Sequence, residues 1–263
     1  MNLTTAERKS SAIGRDEILR VLDRALSPRP EVQAMWEGGA AALGRVDGYS
    51  DIDLQLAVDD SQVDAMWPVI ESALSALSPI EIKYELPRPT WHGHAQAFYR
   101  LRDTSPYLLL DLVVMKASAE EKFLTPEIHG RVVVHFDKSG VVKPSPLDRQ
   151  LLAGRLRARQ ATLVATFELF RVLTWKEIHR GHDLEALAYY QSFTLRPLVE
   201  LLRIRHVPER HGFFLRYVDH DLPPAVVARL RPLAFVADLA ALRTAQEAAE
   251  HFFAETARAL AEA

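Results

Sequence analysis

The chain has 263 residues, 48% of them hydrophobic and 25% charged, which is ordinary globular composition and enough length for two domains. A formal net charge of −3 argues against a protein held to nucleic acid by bulk charge, so nucleic acid is not expected as a partner. The absence of cysteine excludes disulfides, thiolate nucleophiles and Cys-based zinc sites, and it fits a reducing compartment.

Met1 to Ser11 is polar, without the apolar run of a signal peptide, and no stretch approaches the roughly 20 apolar residues that span a bilayer. A soluble, cytoplasmic protein with no membrane partner is the expectation. Ile18, Leu19, Leu22 and Leu26 recur near helical spacing over Asp16 to Leu26, and Ser27-Pro28-Arg29-Pro30 ends the pattern. Val32 to Trp36 predicts a strand that runs into a Gly38-Gly39 turn. Ile52, Leu54 and Leu56 alternate with Asp51, Asp53 and Gln55, the period of a half-buried strand. Val63 to Leu77 predicts an amphipathic helix. Ile80 to Leu86, Ala95 to Leu101 and Tyr107 to Met115 predict three strands, the last two an antiparallel hairpin across Arg102-Asp103-Thr104-Ser105-Pro106. Val132 to Phe136 adds one more.

Beyond this point the texture changes. Glycine becomes scarce, and Ala, Leu, Arg and Glu recur with helical period after the linker-like Lys143-Pro144-Ser145-Pro146. Helices are predicted over Leu147 to Ile178, Asp183 to Arg205, Pro224 to Leu233 and Ala237 to Glu262. Two domains follow: residues 1–144, an α/β (α+β) domain, and residues 145–263, an all-α bundle.

The chemistry concentrates between Trp36 and Leu54. Glycines such as Gly38 and Gly39 let a backbone approach a phosphate, and N–H groups opening a helix favour its charge. Asp51 and Asp53 alternate with Ile52 and Leu54, so both carboxylates are expected on one face of the strand. A hard cation would relieve their repulsion, and oxygen-only ligands of this kind suit Mg²⁺. Asp111 stands alone in Tyr107-Leu-Leu-Leu-Asp-Leu-Val-Val-Met115, where burial without a partner would be costly. If its strand lies beside that of Asp53, three carboxylates converge, the arrangement that serves two metal ions on a transferring phosphoryl group.

This pattern resembles the DNA polymerase beta superfamily of nucleotidyltransferases. The signature is a glycine pair, a spacer of about a dozen residues, an acid-apolar-acid triplet and a later apolar-acid-apolar strand. Gly38 and Gly39 match the pair, Asp51 and Asp53 the triplet, and Leu110-Asp111-Leu112 the last element. The resemblance implies a small mixed sheet with flanking helices, Mg²⁺ and transfer of a nucleoside monophosphate with release of pyrophosphate. The helical half resembles, in outline, the accessory domain of aminoglycoside and lincosamide nucleotidyltransferases. Ala40 follows the glycines where a hydroxyl could bind phosphate, and Ser50 is expected to serve instead.

The expected site is therefore Asp51, Asp53 and Asp111 for metal and catalysis, with Gly38, Gly39 and Ser50 for the nucleotide. Mg²⁺ (two ions) and an NTP, with ATP favoured, are the expected cofactor and co-substrate, and a small molecule such as an antibiotic is the expected acceptor. The alternatives are an AMP-transferring, protein-modifying antitoxin-like enzyme and a catalytically inactive nucleotide-binding regulatory module. Asp111, Glu168, Glu177, Asp183, Glu185 and Glu200 are candidate general bases, and Lys83, Arg100, Lys176 and Arg180 candidate triphosphate cations. His92 and His94 read as loop or surface histidines rather than zinc ligands. Arg205 and His211 resemble the arginine-to-histidine motif of the HEPN ribonuclease fold, but Pro208 interrupts the segment.

Overall fold

The protein, described from a computed structural model, is resolved into elements over residues 13–262. The polar Met1 to Ser11 segment read above lies outside the described residues. Among those residues no helix is long and apolar enough to cross a membrane. The chain divides into two compact units, one ending at Leu147 and the other beginning at Asp148.

The first unit contains α1 (Arg15–Leu26), β1 (Val32–Glu37), α2 (Gly39–Ala42), β2 (Ile52–Val58), α3 (Met66–Leu77), β3 (Ile80–Glu85), β4 (Ala95–Leu101), β5 (Leu110–Lys116), α4 (Pro126–His129) and β6 (Val133–Asp137). The strands form one mixed sheet in the order β3-β4-β5-β2-β1-β6. β2 and β5 pair in parallel, and every other neighbouring pair is antiparallel. The expected hairpin of β4 and β5 is present, although β5 begins at Leu110 and not at Tyr107.

Alternation decides what each face does. Leu54, Leu56, Ala97, Tyr99, Leu110 and Leu112 turn to one side, where they form a single core with Ile18 and Leu22 of α1 and Ile70 and Leu74 of α3. Apolar side chains at helical spacing on both helices give each of them the buried stripe this packing needs. The opposite face carries a much smaller cluster of Ala34, Trp36, Ala57, Val113, Met115 and Leu124. That cover reaches the ends of β2 and β5 but not their beginnings. Asp53 and Asp111, near the beginnings, are half-buried.

The second unit is helical: α5 (Arg149–Arg180), α6 (Asp183–Tyr190), α7 (Arg196–His206), α8 (Val218–Asp221), α9 (Pro224–Ala234) and α10 (Leu239–Ala261). Asp148 caps α5 by accepting the Leu151 N–H at 2.9 Å, and Gly181 ends it in the left-handed conformation at φ 75°. The single helix expected over Asp183 to Arg205 is interrupted by a π-helical stretch, Gln191–Leu195. Pro197 explains it, because proline has no N–H for the carbonyl one turn earlier and its ring crowds that carbonyl. Helix α7 stops at His206, and Pro208–Phe213 forms a separate 3₁₀ segment, so Arg205 and His211 do not share a helix. Phe167 of α5 stacks on Phe253 of α10 at 3.7 Å between centroids, inside a core to which α6, α7 and α9 also contribute.

Candidate active site on the open face of the sheet

Pairing of β2 with β5 places Asp53 directly opposite Asp111, with Ile52 opposite Leu110 and Leu54 opposite Leu112. Parallel strands lie about 4.8 Å apart, and partners in register point to the same face. The two carboxylates therefore stand side by side on the face opposite α1 and α3. Like charges in register repel, and hydrogen-bond donors or a cation beside them offset that repulsion.

The glycine pair is built against Asp53. The Gly38 N–H donates to the Asp53 carbonyl at 2.9 Å, which ties the end of β1 to the beginning of β2. Gly39 has φ +53°, a conformation natural to glycine, and a Cβ there would lie 1.6 Å from Asp53 Oδ2. A side chain and the carboxylate cannot occupy that space together. At Gly38 a Cβ would meet the amide of Gln55 at 3.2 Å.

Asp111 is held from the other side. Gln96 of β4 donates from Nε2 to Asp111 Oδ1 at 2.6 Å, and His92 Nε2 lies 2.9 Å from Gln96 Oε1. His92 also lines a cavity of about 510 Å³ with Asp60, Asp64, Arg88, His94 and Lys116. His94 is buried there, and burial first, then neighbouring His92, pushes its pKa below the ordinary value.

Asp51 differs from the expected picture. It precedes β2 instead of opening it, and it is exposed. Its carbonyl accepts from Arg15 Nη1 at 2.7 Å, and the same guanidinium forms an ion pair with buried Glu37, whose other oxygen meets His135 Nε2 at 3.0 Å. This Arg15–Glu37–His135 group anchors the strand ends that carry Gly38 and Asp51. Ser50 belongs to a small turn: its Oγ accepts the Asp47 N–H at 2.9 Å and donates to Asp47 Oδ1 at 2.9 Å. The Tyr49 N–H, more than the Ser50 hydroxyl, holds the Asp47 carboxyl below its ordinary pKa.

The structure thus brings Asp53, Asp111, Gly38 and Gly39 together, with Asp51 and Ser50 adjacent in the chain. Among the described residues, the three ligating side chains drawn within 4.8 Å of one another are Glu177, His182 and Glu185, and not the three aspartates. Convergence of all three aspartates was expected from regular alternation through residue 51, and the strand itself begins at Ile52, one residue after Asp51. The oxygen-only chemistry of Asp53 and Asp111 could hold a hard cation such as magnesium.

Several of the weaker candidates have charged partners of their own. Glu200 receives two bonds from Arg159, at 2.6 and 2.7 Å, and Glu168 pairs with Arg171 at 3.1 Å. Glu177 pairs with Arg180 and His182, and both lower its pKa, His182 the more. Lys83 meets Glu71 at 2.6 Å, and Arg100 meets Glu81 at 3.0 Å. Sequence reasoning missed Gln96, Arg15, Glu37 and His135, and read His92 only as a loop or surface histidine. Gln96 carried a signal all the same, as a polar residue, like Arg100, on the alternate positions of β4.

A strand-paired carboxylate couple beside a glycine turn is the candidate site. Comparison with solved structures finds similarity to the crystal structure of an aminoglycoside 6-adenyltransferase from Bacillus subtilis. Identity is 13% and the TM-score 0.40, over 95% of this chain and 91% of that one. No protein-family model and no curated protein matches the chain.

Proposed function

We propose that the chain is a nucleotidyltransferase that moves a nucleoside monophosphate from an NTP to a hydroxyl of a small acceptor. The observation that carries this reading is the register of Asp53 against Asp111, with Gly39 packed so closely on Asp53 that no side chain fits between them. Like charges at that spacing are explained by a cation, and a bare backbone beside them by a phosphate.

In this reading Asp53 and Asp111, with Asp51 two residues before Asp53, would hold Mg²⁺, two ions with the nucleotide. Magnesium there would draw negative charge from the phosphoryl oxygens. The chain's own residues do the positioning. Gly38 and Gly39 let the main chain lie against the phosphates, and Ser50, next to Asp51 in the chain, is the hydroxyl assigned to them. The acceptor oxygen bonds to the α-phosphorus as the bond from that phosphorus to pyrophosphate breaks. The hydroxyl proton passes to a carboxylate or water, with Asp111 the candidate on this face.

The test is pyrophosphate release with ATP, or another NTP, and Mg²⁺ against a panel of acceptors. An aminoglycoside, the class in the name of the B. subtilis protein, comes first, and lincosamides and protein acceptors follow. The reading expects release that requires an acceptor and is lost in Asp53→Asn. Release that survives that substitution would overturn it. Nucleotide binding without release from any acceptor would favour a regulatory module instead.

A further inference from the structure

We infer that His92 and Gln96 are positioning residues for Asp111, setting the direction of its carboxylate through a chain of hydrogen bonds that starts at the main chain. The inference rests on the nucleotidyltransferase reading and extends it to residues outside the glycine and aspartate pattern.

Gln96 and Asp111 share the open face. Their strand neighbours Ala95, Ala97, Leu110 and Leu112 are buried in the core under α1 and α3, so alternation sends both polar side chains the other way. A primary amide has a donor end and an acceptor end of nearly equal shape, and flipping it would aim an oxygen at the carboxylate. Here the direction is decided upstream. The backbone N–H of His94 donates to His92 Nδ1 at 3.1 Å, and a main-chain N–H cannot become an acceptor. Thr90 Oγ1 also lies 3.3 Å from His92 Nδ1, but its hydroxyl proton goes to the His94 carbonyl, and the shorter bond from the His94 N–H sets the lone pair on Nδ1 and the ring proton on Nε2. That proton faces Gln96 Oε1 at 2.9 Å, which leaves Gln96 Nε2 to donate to Asp111 Oδ1 at 2.6 Å.

The turn that supplies the first donor is itself tied. Thr90 Oγ1 donates to the His94 carbonyl at 2.6 Å, and the His92 ring meets Phe123 edge-on at 5.6 Å. None of this polar chain belongs to the apolar core beneath the sheet. Its effect is to hold one oxygen of Asp111 toward β4, so the carboxylate meets a cation shared with Asp53 in one orientation. A preset ligand loses less freedom on binding than one that must be ordered.

The experiment measures Mn²⁺ affinity by electron paramagnetic resonance in the presence of a non-hydrolysable ATP analogue, together with thermal midpoints. Asp53→Asn is run first and is expected to abolish Mn²⁺ binding. Gln96→Leu should weaken Mn²⁺ about tenfold, and His92→Phe should reproduce most of that loss without touching Asp111, both at an unchanged midpoint. The double variant should be no weaker than Gln96→Leu, because His92 acts only through the amide. His92→Gln, which returns an N–H donor near the Nε2 position, should restore affinity. Wild-type affinity in both single variants, or losses that add in the double variant, would overturn the positioning role and leave the parent reading standing. No Mn²⁺ binding by the wild type, or unchanged binding in Asp53→Asn, would overturn both.

Discussion

Two polar clusters, one in each unit, are built on opposite logic. In the helical unit Arg203 is wholly buried, and its guanidinium pairs with buried Asp221 at 3.0 Å while donating to the carbonyls of Phe214, Arg210 and Arg216. Arg210 adds a second pairing to Asp221 at 2.7 Å. Opposite charges meet there, and the cluster ties the segment between α7 and α9 to the core. On the sheet of the first unit, two like charges are set in register on a face left partly uncovered. Folding alone accounts for the first cluster. The second is the pair of carboxylates to which the proposed function assigns a cation.

Substitutions should separate the two cases. Asp53→Asn or Asp111→Asn is expected to lower turnover on the order of 10³-fold, roughly 4 kcal/mol, measured as pyrophosphate release. The thermal midpoint of either should stay level or rise, since a repulsion is removed. Arg203→Met should do the reverse and cost about 3 to 4 kcal/mol in urea unfolding, because Asp221 keeps a buried charge with less to answer it. Replacing the pair together, Arg203→Met with Asp221→Leu, should return most of that loss.

Gly39→Ala falls between the two. Its positive φ and the crowding against Asp53 should cost about 1 to 3 kcal/mol of stability and displace the carboxylate, so both unfolding and nucleotide affinity change together. Ser50→Ala should alter either quantity by less than about 1 kcal/mol, since in this structure the hydroxyl serves the Asp47 turn.

Two histidines, buried His94 and half-buried His206, make the fold sensitive to acid. Burial lowers the pKa of both His94 and His206 below 6.5. A histidine kept neutral in the folded state destabilises it only where the unfolded chain takes up the proton. Stability should therefore be level above about pH 6.5 and fall as pH drops below that value. Replacing His94 with Asn should flatten part of that acid slope in a series of urea titrations.

Much of the sheet is legible because one of its faces is buried. The first half of β2 alternates apolar with polar residues, and in β5, apolar from Leu112 to Met115, Asp111 stands out as a charge with no place in a core. The register that sets Asp53 against Asp111 follows from the parallel pairing of β2 with β5, which sequence alone only made conditional. Asp51 read as a strand residue because the alternation runs through it, yet Arg15 takes its carbonyl and the strand begins after it. The His92–Gln96–Asp111 chain stayed hidden because it depends on how β4 lies against β5 and on a turn that folds back over the face. Pro197 was visible in the sequence, and it could have divided the helix expected over Asp183 to Arg205.

The most direct test of the central claim is calorimetry with ATP, with and without Mg²⁺, on the wild type and Asp53→Asn. The account predicts that the wild type binds ATP in a Mg²⁺-dependent manner and that the substitution removes this dependence. Absence of binding by the wild type, or equal Mg²⁺-dependent binding by both proteins, would contradict a carboxylate pair built to hold a metal-bound nucleotide.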